Sequence, residues 1–178
     1  RKSLSEACSN FYKKKPSYIV AVTGTNGKTS VANFFFQLFE LNKIRAASIG
    51  TLGIESNLFK KTTNLTSPDP LLLHKSLSGL KKKGINIVVL EASSHGLDQK
   101  RLDYILFKAA VFTNLSRDHL DYHKNMDRYL NSKLYLFNNL LNKKKFCITD
   151  KDNIFFNKLK KIFKRKKINI NSIGYGHG

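Results

Sequence analysis

Residues 18–29 read YIVAVTGTNGKT. Tyr18 to Val22 is a short run rich in β-branched residues that ends in Thr23-Gly24, the pattern of a buried strand. From Lys28 to Leu41 the apolar residues Val31, Phe34, Phe35, Leu38 and Phe39 recur at three- and four-residue spacing, which predicts a helix. Thr23-Gly24-Thr25-Asn26-Gly27-Lys28-Thr29 therefore lies between a strand and a helix, the setting of a phosphate-binding loop. Its glycines allow a tight turn and a close approach of backbone to phosphate. The amides that follow, at the start of the helix, attract negative charge. Lys28 is placed to reach the β- and γ-phosphates of a nucleotide, and the Thr29 hydroxyl to ligate Mg2+. The spacing departs from the common GxxxxGKS/T form, because Val22 stands where the first glycine would be; GTNGKT is a short variant.

Working outward, Ala46 to Ile49 reads as a second short strand, and Thr51 to Thr66 as a polar, broken hairpin or loop. Pro68 and Pro70 open a helix with Leu71 to Lys83 as its body and Gly84 as its stop. Ile85 to Leu90 (INIVVL) is the clearest buried strand, and Ala109 to Thr113 is another. Met126 to Leu141 reads as a long helix, Phe146 to Thr149 as a strand, Asn153 to Phe163 as a helix and Ile168 to Ile173 as a final strand. Strands apolar on both faces, separated by helices, predict an α/β fold: a mostly parallel sheet flanked by helices. Glu91 follows the INIVVL strand, at the sheet edge where open α/β proteins bind ligands. A carboxylate there, facing a phosphate loop, can hold Mg2+, a hard cation that prefers oxygen.

The chain has 178 residues, 41% of them hydrophobic, which suits one large domain with a real core. No apolar run reaches the roughly 18–20 residues of a membrane span, and residues 1–10 lack the pattern of a signal peptide. There is no initiator Met, and the chain ends on Gly174-Tyr175-Gly176-His177-Gly178. Both ends are expected to be cuts inside a longer protein. Cys8 and Cys147 make neither a CxxC pair nor a disulfide framework, which suits a reducing cytosol. The net charge of +20 invites a nucleic-acid reading. Yet the lysines are scattered, and in the densest run, Lys158 to Lys167, Leu159, Ile162 and Phe163 form an apolar stripe with lysines around it. That is the pattern of a solvated helix face.

Three further segments follow the loop in order. Glu91-Ala92-Ser93-Ser94-His95-Gly96-Leu97 follows one strand, and Phe112-Thr113-Asn114-Leu115-Ser116-Arg117-Asp118-His119-Leu120-Asp121-Tyr122-His123 follows another. Tyr129-Leu130-Asn131-Ser132-Lys133 lies in the next helix. From about Tyr18 to Leu141 this series resembles the Mur ligases, and within them the type that adds the third residue of the peptidoglycan peptide. The resemblance implies the central, ATP-binding domain (residues 1–178) of a three-domain, monomeric enzyme of the bacterial cytoplasm. In that family ATP phosphorylates a substrate carboxylate, and an amine displaces phosphate from the acyl phosphate to form an amide.

Carried onto this chain, the resemblance implies that Gly24, Thr25, Asn26, Gly27, Lys28, Thr29, Ser30 and Asn114 bind ATP. Thr29 and Glu91 would share one Mg2+, and His119 would bind a second. Lys133 matches the family's lysine that CO2 converts to a carbamate, an anionic oxygen ligand near Mg2+. Lys28, Glu91, His119 and Lys133 would thus form the catalytic set. Leu65-Thr66-Ser67-Pro68 is similar to the family's TTP-type segment, with Ser67 in place of the second Thr. Thr66, Ser67, Ser93, Gln99 and Arg101 would hold the UDP-N-acetylmuramoyl-dipeptide. Thr66 to Pro70 also reads as a helix N-cap with prolines after it, and both readings can hold together. The roles of His95 and His123 stay open.

The other domains of the family anchor the uridine end of the substrate, cover the adenine and select the incoming amino acid. The choice between meso-diaminopimelate and L-lysine therefore lies outside these residues. Folylpolyglutamate synthase shares the loop but is disfavoured by the Ser93-Ser94-His95 and Asp118-to-His123 wording. A basic nucleic-acid-binding module would carry aromatic or arginine-rich strand contacts, and none is seen. A non-catalytic scaffold would lack Glu91, His119 or Lys133, and all three are present.

Overall fold

The computed structural model describes residues 2–152 and 155–173. Its elements in chain order are α1 (Lys2–Phe11), β1 (Tyr18–Thr23), α2 (Lys28–Leu41), β2 (Ala46–Gly50), β3 (Gly53–Ser56), β4 (Lys60–Lys61), α3 (Pro70–Lys82) and β5 (Ile87–Glu91). There follow α4 (Ser94–Asp98), β6 (Phe107–Phe112), α5 (Leu120–His123), α6 (Met126–Tyr135), a π-helical turn (Leu136–Leu140), β7 (Leu141–Asp150), α7 (Phe156–Lys166) and β8 (Asn169–Ile173). The strands form one eight-stranded sheet in the order β4-β3-β2-β5-β1-β6-β7-β8. From β2 to β8 every neighbouring pair is parallel; only the β2-β3-β4 edge is antiparallel.

The central strands are buried on both faces, which explains their unbroken apolar character. Ile19, Ala21, Val88, Leu90, Ala110 and Phe112 join one large core cluster with Leu73, Leu77 and Leu80 of α3. Val22 and Val89 pack against Ala32 of α2 on the other face. Within α2 the side turned to the sheet is centred on Ala32 and Phe36, which are buried, while Phe34 and Leu38 are exposed. In α7, Leu159 and Phe163 are buried and Lys158, Lys160, Lys161 and Lys164 are exposed, the solvated face the spacing predicts.

The differences from the sequence reading are local. The segment 51–66 contains the β3–β4 hairpin, one of the two forms expected there, whereas α1, α4 and α5 are additional short helices. The helix from Met126 gives way to a π turn after Tyr135, and β7 begins at Leu141 rather than Phe146. The expected helix start at Asn153 lies outside the described residues. In register, Val22 faces Glu91 and Thr23 faces Phe112 across the ladders. The carboxyl ends of β2, β5, β1 and β6 therefore finish side by side, and the loops leaving them meet at one edge.

Candidate active site

Gly24 and Gly27 turn the chain out of β1 and into α2 with φ of 149° and 80°. At Gly24 a Cβ would lie 1.9 Å from Thr113 Oγ1 and 3.0 Å from the Asn114 backbone, so no side chain fits. The loop is pinned from β6. The Thr25 amide donates to the Asn114 carbonyl and the Asn26 amide to Asn114 Oδ1, each at 2.9 Å. Thr113 Oγ1 donates to the Asn26 carbonyl at 2.7 Å. In α2 the Val31 amide reaches the Gly27 carbonyl. The amides of Lys28, Thr29 and Ser30, one turn earlier, have no carbonyl within the helix to meet and stand at its positive end. Such a terminus receives phosphate.

Lys28 folds back over the loop, donating to the Thr25 carbonyl at 2.7 Å and the Gly24 carbonyl at 3.1 Å. Burial lowers its pKa, opposed by the charges of Glu91 and Asp118. Thr29 Oγ1 donates to Glu91 Oε2 at 2.8 Å. Glu91 is the last residue of β5 and is only 1% exposed. Its Oε1 accepts from the Thr51 amide at 2.9 Å, and its Oε2 from the Thr51 hydroxyl at 3.3 Å. Gly50 makes this possible, since a Cβ there would lie 2.0 Å from Oε1. A hydroxyl beside a carboxylate fits Mg2+, which keeps waters and phosphate oxygens as further ligands instead of a full protein cage. No group of three His, Cys, Asp or Glu among the described residues could hold a metal by itself.

His119 stands at the N-cap position of α5 with φ 51° and without a side-chain capping bond, and its Nε2 lies 3.3 Å from Asp118 Oδ2. Its ring meets that of His95 edge-on at 4.9 Å, and His95 lies 4.2 Å from Tyr122 and 5.5 Å from His123. Burial, and then a neighbouring imidazole, lowers the pKa of both His95 and His123. Lys133 projects from α6 and is 1% exposed. Its Nζ donates to the Gly24 carbonyl at 2.6 Å and lies 4.4 Å from the Tyr129 ring centroid. Burial, reinforced by the charge of Lys28, brings its pKa down to about 7. A large fraction of this amine is therefore uncharged at neutral pH, the form that reacts with CO2.

A cleft of about 240 Å³ joins Lys28, His119 and Lys133 to Thr66, Ser67, Ser93 and Arg101. Ser67 is buried; its Oγ donates to the Glu91 carbonyl at 2.8 Å and accepts from the Ser93 amide at 2.9 Å. Thr66 Oγ1 lies 3.0 Å from Thr51 Oγ1. Ser93 caps α4 by accepting from the Gly96 amide, and Asp69 caps α3 by accepting from the Leu72 amide, with Pro70 in its first turn. Gln99 stands behind the cleft wall. Its Oε1 accepts from Arg101 Nε and Nη2 at 3.0 and 2.6 Å, while Arg101 Nη1 donates to the Ser67 carbonyl at 2.8 Å. Gln99 thus holds the Arg101 guanidinium in place. Thr51, Thr113 and Tyr129, which the sequence reading did not select, hydrogen-bond the candidate residues Glu91, Asn26 and Thr25. For Thr51 the signal was its place at the carboxyl end of a parallel strand.

The loop from Gly24 to Thr29, the Thr29–Glu91 pair and buried Lys133 lie together at this edge of the sheet. Residues 22–178 match the Mur ligase middle domain. The chain belongs to that family. Over 143 residues, 80% of this chain and 29% of the relative, it is 50% identical to the UDP-N-acetylmuramoyl-L-alanyl-D-glutamate--2,6-diaminopimelate ligase of Brucella melitensis. The corresponding enzyme of Rickettsia bellii is 44% identical over 156 residues, 85% of this chain and 33% of the relative. A solved structure of a ligase of the same name superposes with a TM-score of 0.81 at 32% identity, covering 98% of this chain and 35% of that one. This Mur ligase middle domain therefore spans about a third of the length of those relatives. Mycobacterium tuberculosis folylpolyglutamate synthase complexed with ADP has a TM-score of 0.77 at 14% identity over 96% of this chain and 46% of that one, a likeness of fold.

Proposed function

We propose that this domain is the ATP-binding core of a ligase that joins 2,6-diaminopimelate to UDP-N-acetylmuramoyl-L-alanyl-D-glutamate in peptidoglycan precursor synthesis. The observation that carries the reading is one cleft on which Lys28, His119 and Lys133 open together with Thr66, Ser67, Ser93 and Arg101. The names of the relatives at 44–50% identity support the choice of substrates. The remaining two-thirds of the enzyme supplies the uridine anchor and the amino-acid selection. No helix among the described residues is long and apolar enough to cross a membrane, and we place the enzyme, as a monomer, in the bacterial cytoplasm.

In the first step a substrate carboxylate oxygen attacks the γ-phosphorus of ATP. The bond to ADP breaks and an acyl phosphate forms. The amine then attacks the acyl carbon, a C–N bond replaces the C–O bond to phosphate, and the amine proton passes to solvent. The loop amides and Lys28 neutralise charge on the transferred phosphoryl group. To reach it, Lys28 exchanges its bonds to the Gly24 and Thr25 carbonyls for phosphate oxygens. Thr29 and Glu91 would hold one Mg2+, and His119 with the Lys133 carbamate a second. Bound there, the ions supply Lewis-acid stabilisation of phosphoryl charge. The carbamate forms when the Lys133 amine adds to CO2 and releases one proton. Thr66, Ser67, Ser93 and Arg101 orient the muramoyl-dipeptide, so that catalysis is chiefly positioning.

Calorimetric titration with a non-hydrolysable ATP analogue, with and without Mg2+, tests the reading. Mg2+-dependent binding by this chain, lost in Lys28→Ala, with no affinity for single-stranded DNA at physiological salt, is the expected result. Tight, salt-sensitive DNA binding without a nucleotide signal would overturn it. These 178 residues alone should bind nucleotide weakly and show no ligase turnover.

A further inference from the structure

Tyr129 lies on α6 one turn before Lys133 and is fully buried. Its hydroxyl is 3.0 Å from Thr25 Oγ1 in the phosphate loop. Thr25 Oγ1 also donates to the Ser116 carbonyl at 3.3 Å and accepts from the Ser116 amide at 3.0 Å. A hydroxyl has one hydrogen to give and two lone pairs to offer. Thr25 Oγ1 thus bridges Ser116 and Tyr129, and between the two hydroxyls either one serves as donor. The face of the same tyrosine carries Lys133 Nζ at 4.4 Å. Its ring centroid lies 5.2 Å from that of His123 and 6.1 Å from that of His119. One rigid side chain therefore touches the nucleotide loop, the reactive lysine and the histidine after β6.

Phenylalanine would fill the same space, so packing alone does not call for the hydroxyl. We infer that Tyr129 is a positioning residue for the ligase reaction, its hydroxyl setting Thr25 in the nucleotide loop and its ring setting Lys133, so that loop and lysine keep one spacing. The inference rests on the ATP-binding reading above. It assigns two separable tasks to two parts of one side chain, and two variants separate them.

Tyr129→Phe removes the hydroxyl and keeps the ring. Tyr129→Leu removes both. Tyr135→Phe, which deletes another α6 hydroxyl that donates to Asp103 Oδ2 at 2.9 Å, controls for a general loss of stability. Each variant is titrated with a non-hydrolysable ATP analogue and Mg2+, and its carbamate is read by 13C NMR in 13C-bicarbonate. Tyr129→Phe should weaken nucleotide binding roughly three- to tenfold, the worth of one buried hydrogen bond, and keep the carbamate signal. Tyr129→Leu should weaken both, and Tyr135→Phe neither. Unchanged nucleotide affinity in Tyr129→Phe, or an equal loss in Tyr135→Phe, would overturn the inference alone. A wild-type chain that binds no nucleotide would overturn the functional reading and this inference with it.

Discussion

Lys133 donates to the backbone carbonyl of Gly24 at 2.6 Å, across 109 residues of chain. Lys28 donates to the same oxygen at 3.1 Å. Two cationic side chains share one acceptor, and the one that is deeper in the protein loses its proton more easily. Burial first, and Lys28 second, bring the Lys133 pKa down to about 7. Only the free amine adds CO2, and its fraction grows as pH rises through that value. At fixed dissolved CO2, the 13C carbamate signal should therefore climb between pH 6 and 8 and vanish in Lys133→Met. An ordinary lysine would be only about 0.4% free at pH 8. A signal that appears only above pH 9 would contradict the assignment.

Glu91, itself buried, accepts from half-buried Thr29 and, twice, from exposed Thr51. Glu91→Gln keeps the shape and removes the charge that an Mg2+ ion needs. Nucleotide binding should lose its Mg2+ dependence, while thermal stability changes by no more than about 1–2 kcal/mol. Titration with and without Mg2+, beside a melting curve, checks this. Retained Mg2+ dependence would remove Glu91 from the ion's ligands.

The strand, loop and helix from Tyr18 to Leu41 were legible because their signals are local: apolar spacing and two glycines in a strand-to-helix turn. The place of Glu91 at the end of β5 was legible because an unbroken apolar run precedes it. Helix α1 was not, since it is fixed by tertiary contacts such as Ser5 Oγ donating to the Lys100 carbonyl at 2.8 Å. The π turn at Leu136–Leu140 keeps the apolar character of the helix before it, so periodicity does not mark it. Tyr129 reads as an ordinary core aromatic, and its partner Thr25 lies 104 residues away. Long-range hydrogen bonds of this kind leave no trace in spacing.

The two loop glycines should differ in what they tolerate. At Gly24 the φ of 149° and a Cβ position 1.9 Å from Thr113 Oγ1 both exclude a side chain. Shortening Thr113 gives no rescue, because the Asn114 amide nitrogen and carbonyl oxygen also lie 3.0 Å away. At Gly27, with φ 80°, a Cβ meets only Thr113 Cγ2 at 4.0 Å. Gly27→Ala should cost about 1 kcal/mol of backbone strain. Gly24→Ala should cost more, about 1–3 kcal/mol from the backbone alone with the clash added, and should abolish nucleotide binding. Denaturant unfolding and nucleotide titration of both variants measure the difference, and equal costs would contradict the packing described for Gly24.

His74 on α3 is fully buried, and a backbone hydrogen bond at Asp103 offsets only part of what burial does to its ring. Burial, and then the charge of Lys15, lower its pKa from 6.5 to about 4. Above pH 6.5 the imidazole is neutral in both folded and unfolded chains and contributes no slope. Between pH 6.5 and 4 the unfolded chain takes up a proton that the folded protein refuses, so stability falls as pH falls. Below pH 4 both states are protonated and the loss is complete, on the order of 2 kcal/mol after solvent screening. Asp103, whose pKa burial raises, works with the opposite sign over part of this range. A variant at His74 isolates the histidine from it. In His74→Leu the decline of unfolding free energy between pH 6.5 and 4 should flatten by that amount; an unchanged slope would place the acid sensitivity elsewhere.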